Sequence, residues 1–517
     1  MDSAPGRRGS GWLPLPIAAA LALWLYRPWQ ARAFDVLDFS EFLPLLNAAH
    51  GALARLAALT DYYAGVHGRF NLLSYAALAA KWSWLGNHPA LWQALRAAEL
   101  LLIAGLGFVL LRRLAAGVFA AALGATLLLF SYSAALPWVR LTMGEPLGLL
   151  CALLAALLAT RPDRAERWRG TGVALAVGVL LAAAILAKEM LVIWVPAVLL
   201  IGGTRVSEGR LTLRRGDPAA LRFGLAALAG GLAASLAVLY VARRTSVAGY
   251  AATYGEATAT LARFGEVFQR QFLPWPITGR NDGTVMLLAA LLFIGVILAG
   301  LRAGLRDPAR RGQCLRALWL GLGLPVLGTL AYLPWPVYAP FYGYPFVFGS
   351  AVLLATALSC LRARGPRAER WGGAAAVTAV VLAVPHAAHL ARAAAAQQEV
   401  MTAVARVLPE ARGAQRIVVA VAALPAQAWQ GTGPSLARYA MATTPGLALP
   451  PAEDLLCGDA GRLLTNGSSP IAVLSFSSNC GAIPGAQLVI RRGYSYWQWE
   501  PPGLRQDSVR ADVVVRR

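Results

Sequence analysis

The stretch AFDVLDFSEFLPLL, residues 33–46, places three acids, Asp35, Asp38 and Glu41, just after the first apolar run of the chain. Acids are scarce here, with 25 Asp plus Glu against 47 Lys plus Arg. If the segment is helical, Asp38 and Glu41 are three residues apart and share a face. A carboxylate at a bilayer rim is partly desolvated. Its pKa then rises toward neutrality, and it can accept the proton of an acceptor hydroxyl or amine. A second reading is compatible with the first: DFSE fits an N-capping box, with Asp38 as cap and Glu41 at the third helical position. Asp35 reads as a solvated loop acid.

Further charges interrupt apolar sequence. Arg140 and Glu145 stand in LPWVRLTMGEP, and Lys188 and Glu189 stand in ILAKEMLVIW. Charges at membrane depth are costly, which makes them functional candidates. The bland accounts are an interfacial ion pair for Arg140 and Glu145, and snorkelling for Lys188. A lysine so placed can also bind a phosphate as a point charge. The aromatic, proline-rich LPWPVYAPFYGYP (333–345) can stack on a sugar ring or form an interfacial belt. Cations, a carboxylate and aromatic walls together suit an anionic, lipid-linked substrate. A transporter or flippase for an anionic solute would need much the same set.

The elements that must position these residues follow from composition. Only 14% of the 517 residues are charged, 58% are hydrophobic and the mean hydropathy is +0.55. Soluble proteins average about 25% charged, so the fold class is an all-α polytopic membrane protein. Apolar runs near 12–27, 95–111, 115–136, 146–160, 171–187, 190–203, 223–242, 285–301, 317–334, 345–361 and 372–388 give about 11 transmembrane helices. The first run reads as a retained span and not as a cleaved signal peptide, because the bulky WLYRPWQ is a poor approach to a cleavage site.

The net charge of +22 does not indicate nucleic acid, since the arginines punctuate the gaps between apolar runs. One alternating set of loops holds 22 arginines, while the opposite short loops hold almost none. That asymmetry puts the N-terminus in the cytoplasm and residues after about 389 outside. The expected division is a membrane domain, 1–388, with extracytoplasmic loops 28–94 and 243–284, and an extracytoplasmic domain, 389–517. Strand-like runs RIVVAVAAL, IAVLSFSS, AQLVIRR and SVRADVVVR make the latter α/β or β-rich. Cys151, Cys314 and Cys360 read as small core residues, whereas Cys457 and Cys480 could pair outside the membrane. No Cys/His spacing marks a metal site.

The order of these features resembles the C-type glycosyltransferase superfamily, in the branch of the protein O-mannosyltransferases and the lipid A aminoarabinose transferase. LDFSEFLPLL matches the acid of the first outer loop, and GRFNLLSYAALAAKWSWLGNHPALWQALRA matches the amphipathic segment after it. VRLTMGEPLGLLCALLA matches an Arg followed by an acid, and AAAILAKEMLVIWVP matches a charged pair ending a later span. The motifs cover about 10–200. RFN stands where the family has Lys-Pro-Pro, and Glu145 stands where it has Asp.

The resemblance implies a bacterial plasma-membrane enzyme. It would transfer a sugar, with inversion, from a polyprenyl-phosphate donor to an extracytoplasmic glycan, lipid or protein acceptor. It also implies Asp38 as catalytic base with Glu41 as alternative, and Glu145 as the second acid. Lys188, Arg140 and Arg69 would be donor-phosphate ligands, with Glu189 beside them. Some members use a divalent metal between the acids; this sequence has no tight DxD to require one.

Overall fold

The computed structural model describes residues 11–114 apart from 32, 33 and 35; 116–160; 167–214; 217–244; 260–273; 283–333; 340–382; 384, 385 and 388; and then 416–421, 441, 448, 452–456, 471–475 and 512–515. Asp35, Cys457, Cys480 and the strand expected around AQLVIRR lie outside the described residues.

The apolar runs form helices. α1 (Pro14–Tyr26) opens on a proline, whose missing N–H is harmless in a first turn. Three helices then fill the first loop: α2 (Val36–Ala48), α3 (Ala52–His67) and α4 (Leu72–Leu85). α2 begins two residues before Asp38, so Asp38 sits inside the first turn and is not its cap. The stretch from Ser40 to Leu59, which reads as one amphipathic helix, breaks at Gly51, whose φ of 87° suits a residue without a Cβ. An aromatic ladder joins the three helices. The Phe42 ring stacks on Tyr63 at 4.9 Å, and Tyr63 stacks on Tyr75 at 5.2 Å.

The long α5 (Pro89–Arg113) leads back to α6 (Val118–Phe130) and the short α7 (Tyr132–Ala135). The chain bends by 56° between Val118–Phe130 and Tyr132–Trp138. Ser131 caps the turn, its hydroxyl accepting from the Ala134 N–H at 3.2 Å. α8 (Glu145–Ala159), α9 (Arg167–Ala187), α10 (Trp194–Gly203) and α11 (Pro218–Arg244) follow. Between α10 and α11 lies a hairpin, β1 (Thr204–Ser207) with β2 (Arg210–Leu213). Its two-residue turn, Glu208–Gly209, has φ of 50° and 73°, the geometry whose twist matches paired strands.

The helices that follow are α12 (Leu261–Phe272), α13 (Gly283–Arg306), α14 (Arg311–Tyr332) and α15 (Val347–Arg364), and a further helix, α16, covers 366–382. α15 is buried along its length at the centre of the bundle. α6 approaches it at Gly124, where a Cβ would come within 2.9 Å of the Ala351 carbonyl. Small residues at such crossings allow the dispersion contacts that hold helices together in lipid.

Five described helices are long and apolar enough to cross a membrane, and the bent pair makes up to six. About eleven crossings were expected. The other apolar runs are helical too, in shorter apolar helices among the described residues: Thr171–Ala187 has 17 residues, Glu145–Ala159 has 15 and Pro14–Tyr26 has 13. Further on, β3 (Arg416–Val421), β4 (Ala452–Leu456), β5 (Ile471–Ser475) and β6 (Asp512–Val515) form one sheet in the order β4-β3-β5-β6. β3 is parallel to β4 and β5, and β6 is antiparallel to β5.

Candidate functional site

Lys188 stands where the helix pair breaks. α9 ends at Ala187, Lys188 is extended with φ −158° and ψ 118°, and a 3-10 segment, Glu189–Ile193, leads into α10. The break turns the side chain inward, leaving Lys188 only 6% exposed. Its Nζ lies 3.3 Å from Glu145 Oε1 and 4.0 Å from Glu189 Oε1. It also lies 5.3 Å from the centre of the Tyr342 ring, which stacks on Tyr332 at 4.9 Å.

Glu145 is 2% exposed and opens α8, where the helix dipole favours a negative charge. The residue before it must be small. A Cβ at Gly144 would strike the Ser74 hydroxyl and the Ala187 carbonyl. Ser74 on α4 donates to that same carbonyl at 2.7 Å, tying the first-loop helices to the end of α9.

Arg69, on the link between α3 and α4, lies within electrostatic reach of Lys188, Glu189 and Tyr75. Asn71, 8% exposed at the start of α4, hydrogen-bonds Glu189. Burial, with Glu189 adding to it, pushes the Tyr75 phenol above its ordinary value while Arg69 pulls it down. Tyr75 therefore offers a proton donor and not a base.

The sequence-derived residues thus divide into groups. Glu145, Lys188, Glu189 and Arg69 come together from α8, the α9–α10 break and the α3–α4 link. Arg140 is buried in the segment leading to Glu145. Asp38 and Glu41 lie one turn apart on α2, and their side chains are outside the described residues. The aromatic ladder links the residue next to Glu41, Phe42, to Tyr75 at the edge of the cluster. Among LPWPVYAPFYGYP, Tyr342 reaches the site. Tyr344 is a core residue whose hydroxyl donates to the Leu128 carbonyl at 3.2 Å. Asn71, Ser74 and Tyr75 carry no charge, and sequence reasoning missed them; the available signal is their i, i+3, i+4 spacing just after Arg69.

A second charged group was not anticipated. Arg96, 2% exposed on α5, has its Nη1 3.0 Å from Glu99 Oε2. Nearby Lys81 on α4 is partly buried. Desolvation pushes its ammonium down to about 8, with Arg96 adding to the effect and Glu99 opposing it. The detectable signal was two charges, three residues apart, at the start of an apolar run.

The arrangement can hold an anion with Lys188 and Arg69 while Glu145 and Glu189 keep those cations in place. Among the described residues no three His, Cys, Asp or Glu group to hold a metal ion. The Lys188 ammonium, and not an open coordination position, lies beside both carboxylates.

No protein-family model matches the chain, and no curated protein matches it. Solved structures do. ArnT from Cupriavidus metallidurans bound to undecaprenyl phosphate is similar at 14% identity and a TM-score of 0.52, over 98% of each chain. The apo form of that protein gives the same figures. The Archaeoglobus fulgidus oligosaccharyltransferase tethered with an acceptor peptide is similar at 13% identity and a TM-score of 0.48, over 86% of this chain and 64% of that one. The likeness to ArnT is one of fold. It shows that the two chains share a helical fold across nearly their whole length.

Proposed function

We propose that this chain is an integral membrane glycosyltransferase, which moves a sugar from a polyprenyl-phosphate donor to an acceptor outside the cytoplasm. The observation that carries the reading is the buried Lys188–Glu145 pair at a break between apolar helices, beside the Tyr342 ring. An uncompensated ammonium there would be prohibitively costly, and a paired one is a preformed anion anchor. The fold of ArnT, a protein solved with undecaprenyl phosphate bound, supports the same donor class.

In this mechanism Lys188, Arg69 and Arg140 bind the donor phosphate, and Glu145 and Glu189 orient Lys188. Tyr342 forms an aromatic side of the site beside Lys188. Asp38, or Glu41 one turn on, takes the proton of the acceptor hydroxyl or amine. The acceptor atom bonds to the anomeric carbon from the face opposite the phosphate. The carbon–oxygen bond to phosphate breaks, and polyprenyl phosphate leaves with the electron pair, its charge held by the cations. Inversion follows from that single displacement.

The test is turnover of a radiolabelled polyprenyl-phosphate sugar by purified protein. Wild type should consume the donor, and Asp38→Asn should lose about 100-fold or more in rate, the usual worth of a general base. Lys188→Met should lose a comparable factor. Full transfer by Asp38→Asn would remove the base assignment, and a wild type that consumes no lipid-linked donor would remove the enzyme reading.

A further inference from the structure

The segment between the 3-10 turn Leu136–Trp138 and α8 carries Arg140 and ends at Glu145, yet it has no regular structure of its own. It is nonetheless buried: Arg140, Leu141, Thr142 and Met143 are all under a tenth exposed. Buried backbone carbonyls without a helix or sheet ladder need partners from elsewhere.

α5 supplies them. Gln93 Nε2 donates to the Val139 carbonyl at 3.3 Å. One turn on, Arg96 Nη2 donates to the Leu141 carbonyl at 2.8 Å and the Met143 carbonyl at 3.0 Å. One further turn on, the Glu99 carboxylate forms an ion pair with the other arm of the guanidinium, at 3.0 Å. Alternate carbonyls of the segment, at 139, 141 and 143, are thus held by one face of one helix. Arg140 is flanked by two held residues, and Glu145 follows the last of them by two positions.

We propose that Arg96 is a positioning residue for the phosphate-binding site, setting where Glu145 meets Lys188 and where Arg140 stands. The proposal rests on the functional reading above. The planar fork suits the task, because one Nη bridges two carbonyls while the other faces a carboxylate; a lysine offers a single point donor. The same helix provides a comparison at its far end. Arg113 Nη1 donates to the Leu157 carbonyl at 2.8 Å and to Thr160 Oγ1 at 3.1 Å, bracing the last turn of α8 far from the site.

The experiment compares Arg96→Met, Arg96→Lys, Gln93→Leu and Arg113→Met in the purified full chain, by amide hydrogen exchange and by donor turnover. Arg96→Met should raise exchange across 139–145 about tenfold or more, because the freed carbonyls lose their partners. It should lower kcat about 100-fold through misplacement, with KM for the donor within about threefold. Arg96→Lys should recover part of both effects, and Gln93→Leu, which frees one carbonyl of the three, should show a milder form. Arg113→Met should lower Tm to a similar extent and change neither. Unchanged exchange across 139–145 in Arg96→Met would overturn the brace. An equal kcat loss in Arg113→Met at matched Tm would reduce Arg96 to general stability. If wild type transfers nothing, the enzyme reading fails while the exchange data still decide the brace.

Discussion

Lys81 and Lys188 are the chain's only lysines, and their surroundings make them chemically unlike. Lys188 is ion-paired and enclosed. Lys81 has its pKa pushed down to about 8 by burial and by Arg96. At pH 8.5 the Lys81 amine is therefore mostly neutral and nucleophilic, and an acylating reagent should modify it in the folded protein well before Lys188, as peptide mass spectrometry will show. Modification of Lys188 first would contradict the assigned pairing.

The sign of the stability effect follows. The folded pKa lies below the unfolded one, so folding is disfavoured while Lys81 is charged, and the cost fades as pH rises through the interval between them. Lys81→Met should raise Tm at pH 7 and raise it less at pH 10. At this scale the sequence shows Lys188, Glu189 and Glu145 plainly, because a charge inside an apolar run has few bland explanations. The bracing role of Arg96 escapes, because the partners that define it are the Leu141 and Met143 carbonyls, and no residue type records those.

At the scale of elements, two interruptions matter. The break at Lys188 was visible as a tight pair of apolar runs. The break at Gly51 was not, because the helical period of the flanking residues continues across it and only the glycine marks the turn. The first strongly polar strand in the sheet was equally hidden: Ala452–Leu456 contains Glu453 and Asp454, a composition that resists a strand assignment. RIVVAVAAL, IAVLSFSS and SVRADVVVR announced β3, β5 and β6 by their β-branched residues. A prediction belongs here too. Gly144→Ala forces a Cβ against Ser74 and the Ala187 carbonyl. It should cost about 1–3 kcal/mol of stability, as overpacking does, and lower donor turnover more than Gly105→Ala, which meets open space on α5. Equal effects from both, read by thermal unfolding in detergent and by turnover, would mean that α8 can shift freely.

For the whole molecule, composition and arginine asymmetry alone reach a helical membrane protein, and the order of short motifs points to the fold it shares with ArnT. Neither reaches the number of crossings, since α1 and α8 are apolar along their length yet shorter than a bilayer core. Their depth is set by neighbours, and neighbours are a tertiary fact.

Arg96 and Arg113 fasten opposite ends of α8 and its lead-in to one continuous helix. Seventeen residues at the helical rise separate them by about 25 Å, close to the hydrocarbon thickness of about 30 Å. The pair acts as a fixed calliper: α5 and α8 cannot slide past each other to suit a thicker or thinner bilayer, so mismatch has to be absorbed by tilt of the whole bundle or by deformation of the lipid. Turnover in vesicles of short-, medium- and long-chain phosphatidylcholine should therefore peak at medium thickness. Arg113→Met should flatten that dependence while leaving the peak rate nearly intact, and a wild-type rate indifferent to chain length would show that the two helices accommodate thickness by some other motion.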